Sequence, residues 1–462
     1  MYIKISRILS VCLMAIVSLS AFAAGEGKAD WKTMQTVLKR IKAPEFKNKD
    51  YVITDFYTNG DSLYTDAIQK AIDKCSSEGG GRVIVPNGSF TTGPLRMKSN
   101  VNLHLADNAI LKFSTDPGIY PTVLTRIEGI DCYNVSPLIY AYEAENIAIT
   151  GKGILDGQAD DTNWLSWERR KIQKSSTGEV GEKTLLVEMK TMRTPIEQRR
   201  FEGWKGMRPQ FVNFYKCKNI LIEDVTLNRS PFWLLHPLMS ENITVHRVKM
   251  DSHGHNNDGC DPESCTDVLI DSCYFNTGDD CIAIKSGKDE DGRVWMIPSK
   301  NIIVRNCTMN DGHAGCAIGS EITGGCENVW VTDCKMGSPN LDRIIRIKSN
   351  PQRGGVVKNI FVRNIDVDVC RLAILGIEMK YWKTETGDYP PSFSNIHLDN
   401  IHSHGSKYVL HTDGIPGKYW TNGIYFSNGT FENVASEDVN QIEGTANVKF
   451  KNCTANGKTI KL

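Results

Sequence analysis

One phrase recurs along this chain and limits what it can fold into: Asn or Asp, then Ile or Val, any residue, an apolar residue, two more residues, and usually Cys, Val or Ile. Its first residue stands at Asn146, Asn219, Asn242, Asp267, Asn301, Asn328, Asn359, Asn395 and Asn447. The apolar positions one and three places on alternate with the period of a half-buried strand. Neighbouring copies from Asn219 to Asn395 are 23, 25, 34, 27, 31 and 36 residues apart, which suits coils carrying loops of variable length. A single coil cannot bury its apolar face, so the coils must stack. The predicted fold is all-β, a parallel β-helix.

Six places after the anchor stand Val225, Val248, Cys273, Cys307, Cys334, Ile365, Ile401 and Cys453. Cysteine thus alternates with aliphatic residues at one position, which predicts buried thiols rather than bridges there. The open end of such a helix exposes strand edges. Thr65 to Cys75, with Ile68, Ala71, Ile72 and Cys75 at helical spacing and Gly79, Gly80 and Gly81 beyond, predicts an amphipathic helix capping the N-terminal end.

Ahead of this body, Lys4 and Arg7, the apolar run Ile8 to Leu19 and the small-x-small pattern at Ala21, Phe22 and Ala23 read as a secretory signal over residues 1–24. The run is too short for an ordinary membrane span. Export to the periplasm or the exterior is expected, with a lead-in segment over 25–50 and one β-helix domain over 51–462. Without the signal the chain keeps 52 basic against 54 acidic side chains, a balance that argues against nucleic-acid binding. Asp160 to Arg208, charged and holding Trp164, Trp167 and Trp204, breaks the repeat and is predicted to be a long insertion or lid, with Trp164 and Trp204 walling one end of a cleft.

Four polar clusters interrupt the apolar phrasing on consecutive coils: Asn256, Asn257, Asp258, Gly259; Gly278, Asp279, Asp280; Gly312, His313, Ala314, Gly315; and Arg346, Ile347, Lys348. Asp279 lies 12 residues after Asp267, and His313 lies 12 after Asn301, so the two should share one face of adjacent coils. Strands in a sheet are about 4.8 Å apart, which would bring Asp258 beside Asp279 and Asp280. Carboxylates that close cannot all stay ionised cheaply, so one should hold its proton. A protonated and an ionised carboxyl together are what glycosidic hydrolysis requires. Arg346, Lys348 and His313 would hold an anionic sugar.

This ordered set, Asn-x-Asp-Gly, Gly-Asp-Asp, Gly-His and Arg-Ile-Lys, resembles the polygalacturonase family of glycoside hydrolases, family 28, over about residues 51–450, with Ser230 to Trp233, His236 and Pro237 in its dense part. The resemblance implies a right-handed parallel β-helix and an inverting hydrolase of α-1,4-galacturonosyl linkages in pectin. It implies Asp279 as general acid, Asp258 and Asp280 as the pair activating water, and His313 as support for the acid's protonation. Arg346 and Lys348 would grip the substrate carboxylate; no metal and no organic cofactor is implied. Asn256, Trp233 and His236 are further candidates for sugar contact. Two positions depart from the usual pattern, Asn257 and Ala314. The long insertion favours attack at chain ends. Three alternatives remain open at this level: another pectic substrate such as rhamnogalacturonan, a calcium-dependent lyase, and a β-helix that only binds carbohydrate.

Overall fold

The computed structural model describes residues 30–461 apart from 61, 170–172, 176, 177, 416 and 419. The expected signal segment at 1–24 lies outside the described residues. The chain winds into a parallel β-helix whose coils pair in the register of the recurring phrase: Ile147 with Ile220, Ile220 with Ile243, Ile243 with Val268, Val268 with Ile302, Ile302 with Val329, Val329 with Ile360, and Ile360 with Ile396. These side chains point inward and are almost fully buried. Each such aliphatic contributes about 1.5–3 kcal/mol by leaving water.

The anchor asparagines explain themselves physically. Asn219, Asn242, Asn301, Asn328, Asn359 and Asn395 all have left-handed backbones, with φ between 55 and 63°, a conformation asparagine tolerates better than most residues. Their amides stack into a ladder. Asn242 Nδ2 donates to Asn219 Oδ1 at 2.6 Å, Asn301 to Asp267 Oδ1 at 2.9 Å, Asn328 to Asn301 at 3.0 Å, Asn359 to Asn328 at 2.9 Å, and Asn395 to Asn359 at 2.7 Å. Each rung therefore closes a turn and binds the next coil. The thirteen cysteines from Cys75 to Cys453 are free and buried, Cys273, Cys307 and Cys334 among them, as expected for that position.

Helix α1 (Trp31–Arg40) arises within the lead-in. Asp30 caps it, and its buried Met34 and Val37, followed by Ile41, pack on Leu269, Ile303, Trp330 and Phe361 on the outside of the sheet. Helix α2 (Thr65–Ser77) buries Ala67, Ile68, Ala71, Ile72 and Cys75 against the first strands, as predicted for the cap. The insertion contains α3 (Glu182–Thr191), fastened by Lys190 to Asp289 at 2.6 Å and by Arg199 to Asp291 at 2.6 Å; both aspartates belong to α4 (Asp289–Trp295).

A second sheet positions the site. It runs through Ile139–Tyr142, Val212–Tyr215 and Leu235–Leu238, thins to isolated bridges at Cys260 and Glu263, and resumes through Ile282–Ile284, Ala314–Ile318, Arg343–Lys348 and Ala373–Glu378. Pro262 lies between the two bridges, and a proline has no amide to donate to a ladder.

Candidate active site

Asp258 precedes Cys260 by two residues and Asp280 precedes Ile282 by two, and Cys260 bridges Ile282. The pairing places both carboxylates on one edge, with Asp279 beside them. One oxygen from each of Asp258, Asp279 and Asp280 lies within 4.8 Å of the others. Asp258 and Asp280 are buried; Asp279 keeps 17% of its side chain exposed and is the member that solvent reaches. His313 N donates to the Asp279 carbonyl at 3.1 Å, and His313 Nδ1 lies 3.0 Å from Asp279 Oδ1. The equal offsets of 12 residues thus correspond to a direct contact.

Two lysines, both nearly buried, neutralise part of this cluster. Lys348 Nζ donates to Asp280 Oδ2 at 2.7 Å. Lys285, which the sequence reading passed over, lies 3.5 Å from Asp258, 3.9 Å from Asp261 and 3.4 Å from Glu321, with its ammonium 4.4 Å above the Trp233 ring. Burial works to discharge Lys285, yet Asp261, Asp258 and Glu321 outweigh it and hold its pKa well above the ordinary lysine value. Carboxylates still outnumber cations here. Burial, then the charge of Asp279, pushes Asp258 well above the usual carboxylate range; burial and Asp258 do the same to Asp261. Neither Asp261 oxygen meets a hydrogen-bond donor among the described residues. Asp279 behaves oppositely: burial would raise it, but the His313 hydrogen bond and the charges of Lys348, His313 and Lys285 hold it far below. His313 is correspondingly raised, first by its bond to Asp279.

The remaining candidates separate. Arg346 Nη2 donates to Glu378 Oε2 at 2.8 Å, and its guanidinium lies 5.8 Å from the Tyr381 ring, with Lys348 Nζ 5.5 Å from the same ring. Asn256, partly exposed, accepts from Arg208 Nη2 at 2.9 Å. Trp233 and His236 do not line the cleft as sugar contacts. Trp233 is 2% exposed beneath Lys285, and His236 is fully buried, bonded to Glu263 at 2.9 Å and facing Asn213. His236 belongs to Leu235–Leu238, an inner strand buried at all four positions, and Trp233 lies in the buried segment just before it. Tyr381 and Glu378 carried no repeat signal, since neither belongs to a polar cluster that breaks the apolar phrasing. Lys285 had one, as the polar end of Ile282-Ala283-Ile284.

On the N-terminal side of Asp258 a pocket of about 640 Å³ is lined by Trp167, Lys183, Met207, Arg208, Phe232 and Lys288 among others. Arg208 pins the insertion here, bonding Glu168 at 2.7 Å and the carbonyls of His255 at 2.7 Å and Pro231 at 2.9 Å. Trp164 is buried, edge-on to Tyr120, so Trp167 rather than Trp164 faces the pocket, and Trp204 beside it is 61% exposed. Among the described residues no helix is long and apolar enough to cross a membrane.

The chain is similar to several proteins named as polygalacturonases or galacturonosidases. It shares 37% identity and a TM-score of 0.84 with the crystal structure of a hyperthermoactive exopolygalacturonase from Thermotoga maritima, covering 92% of this chain and 96% of that one. An exo-poly-alpha-D-galacturonosidase of Dickeya chrysanthemi is 27% identical across 96% of this chain and 79% of its own length. An endo-polygalacturonase of Pectobacterium carotovorum subsp. carotovorum is 29% identical across 74% and 78%. The sequence model of glycosyl hydrolases family 28 matches residues 75–457, a span that holds all three carboxylates, both lysines, His313 and Arg346. With that match across the coils that build the site, this chain belongs to the glycosyl hydrolases of family 28.

Proposed function

We propose that this protein is an exported hydrolase of α-1,4-linked galacturonan that acts from chain ends. The observation that carries the chemistry is the contact of His313 Nδ1 with Asp279 Oδ1 at 3.0 Å inside a cluster of three carboxylates. A leaving oxygen needs a proton, and Asp279 is the accessible member of the cluster. In the free enzyme that proton rests on His313, because their contact lowers Asp279 and raises His313. An anionic sugar entering beside them expels water and adds negative charge, both of which favour moving the proton onto Asp279. Asp258 and Asp280 then accept a proton from the attacking water. Arg346 and Lys348 supply cations for a carboxylate next to the scissile bond.

Action from chain ends is supported by the insertion, which walls the N-terminal end of the cleft through Arg208 and Trp167, and by the names of the Thermotoga and Dickeya relatives. Export rests on the pattern of residues 1–24.

Stereochemistry has two readings. The family resemblance and the presence of two carboxylates besides Asp279 favour single displacement with inversion. The separation within 4.8 Å favours double displacement, since inverting pairs are usually about 6.5–9.5 Å apart. Reducing-sugar release from polygalacturonate, with the anomeric proton of fresh product followed by NMR, tests all of this. β-Anomer formed by the wild type and lost in Asp279→Asn supports the inverting reading; α-anomer replaces it with double displacement. Release only from rhamnogalacturonan overturns the substrate, and an ultraviolet-absorbing unsaturated product overturns hydrolysis.

A further inference from the structure

Trp382 stands on the coil beyond Arg346 and Lys348, four residues after Glu378, which pairs with Lys348. Its indole is 80% exposed, the most exposed of the large apolar side chains in the described residues. Its backbone is left-handed, φ 59° and ψ 29°, and Lys383 follows at φ 55°. A bulky residue in that region costs conformational energy that glycine would avoid. The fold therefore gains nothing from an indole here: it buries little and strains the turn.

The turn is nevertheless held in place. Tyr381 N donates to the Ser349 carbonyl at 3.0 Å, Asn350 Nδ2 donates to the Tyr381 carbonyl at 3.2 Å, and Lys380 Nζ binds Asp413 at 2.6 Å and Glu443 at 3.0 Å. The Tyr381 ring lies beside the two cations of the site, and the Trp382 ring meets it edge-on at 5.7 Å. Strain kept by a braced turn beside a cleft is how binding residues are commonly presented.

We propose that Trp382 forms a sugar-binding subsite, its indole stacking on the pyranose face of a galacturonan unit at least two residues beyond the scissile bond on the Arg346 side. The inference rests on the reading of this protein as a galacturonan hydrolase acting at chain ends. With the other end walled by the insertion, the body of the polymer leaves the site on this side. Three coils separate Trp382 from Asp280, about 14 Å at the usual strand spacing, so the shortest cleavable oligomer does not reach the indole and a long one does.

The test compares wild type, Trp382→Ala and Trp382→Phe on oligogalacturonates of increasing length and on polygalacturonate. Trp382→Ala should raise KM for the polymer about fivefold to tenfold with kcat unchanged, leave both constants unchanged on the shortest cleaved oligomer, and recover most of the loss as Trp382→Phe. In the Asp279→Asn background, calorimetric affinity for a long oligomer should fall by the same factor when Trp382 is removed. Unchanged polymer KM and affinity, or an equal loss on the shortest oligomer, overturns the subsite. If the wild type cleaves only a different pectic polymer, the galacturonan reading fails by itself, and the same length series on that polymer decides Trp382. A wild type inactive on every pectic polymer overturns both.

Discussion

His313 and Asp279 meet twice, through the His313 amide on the Asp279 carbonyl at 3.1 Å and through Nδ1 on Oδ1 at 3.0 Å, so backbone register itself fixes the imidazole on the carboxylate. The pair holds one proton at a site whose other carboxyls are less accessible. His313 is raised above the usual value of about 6.5 by this contact, so the alkaline limb of kcat/KM should fall above that pH as the pair loses its proton. The acid limb should follow Asp258, which is raised by burial and must ionise to serve as base. His313→Gln should lower kcat by about 10²-fold or more and displace the alkaline limb. An unmoved limb in the pH profile of that variant would remove His313 from the proton inventory.

Lys285 should matter to both stability and pH dependence. Its ammonium is nearly buried among Asp258, Asp261 and Glu321. Lys285→Met leaves those carboxyls without their shared cation, a loss of about 3–5 kcal/mol for a broken buried pair, readable as a lower urea midpoint. Ionised Asp258 also becomes costlier, so the acid limb of activity should move to higher pH. Adding Glu321→Gln should recover part of the stability and little of the activity.

The asparagine ladder predicts a graded pair of variants. Asn328 sits at φ 62°, donates to Asn301 and accepts from Asn359. Asn328→Ala loses both hydrogen bonds and replaces asparagine with a residue that tolerates the left-handed region less well, together about 2–4 kcal/mol. Asn328→Gly loses the bonds but relieves the backbone, and should be destabilised by roughly 1 kcal/mol less. Chemical denaturation of the three proteins gives the order directly. Equal losses would mean that the backbone conformation adds nothing to the ladder.

That ladder is also why the fold was legible in the sequence. Asparagine is selected at each rung for two physical reasons at once, and the signal repeats with every coil. Asn100, at φ 65° and accepting from Asn146 Nδ2 at 2.9 Å, is a further rung outside the nine copies of the phrase, whereas after Asn395 the two reasons separate. Gly423 takes the left-handed position at φ 82° between the coils of Asn395 and Asn447, while the amide that accepts from Asn447 Nδ2 at 2.7 Å sits one place earlier on Asn422, so the coil lacks the recurring phrase. At the site, Asp258, Asp279, Asp280 and His313 were visible because they interrupt apolar phrasing at equal offsets. Trp233 and His236 were misplaced because an aromatic beside a cleft and one beneath it have the same local sequence, and only the packing of the neighbouring coils tells them apart. Glu321, Glu378 and Tyr381 reach the site from turns and strand ends whose positions depend on loop lengths.

Arg208 tests whether the walled end sets the mode of attack. It is buried, and its four bonds tie Glu168 of the insertion to Asn256 and to the carbonyls of Pro231 and His255, of which His255 stands three residues before Asp258. Arg208→Ala removes all four. Glu168 is 30% exposed and can rehydrate, whereas the carbonyls lose a charged donor, so a cost of about 2–4 kcal/mol is expected. Asp258 and Asp280 keep their own partners, Lys285 and Lys348, so turnover should persist while the wall loosens. On an oligogalacturonate labelled at its reducing end, the wild type should shorten the chain by a single fixed step; Arg208→Ala should add fragments from internal cuts. A variant that is less stable yet still cuts only at the terminus would show that the rest of the insertion, with Lys190 on Asp289 and Arg199 on Asp291, closes the cleft without Arg208.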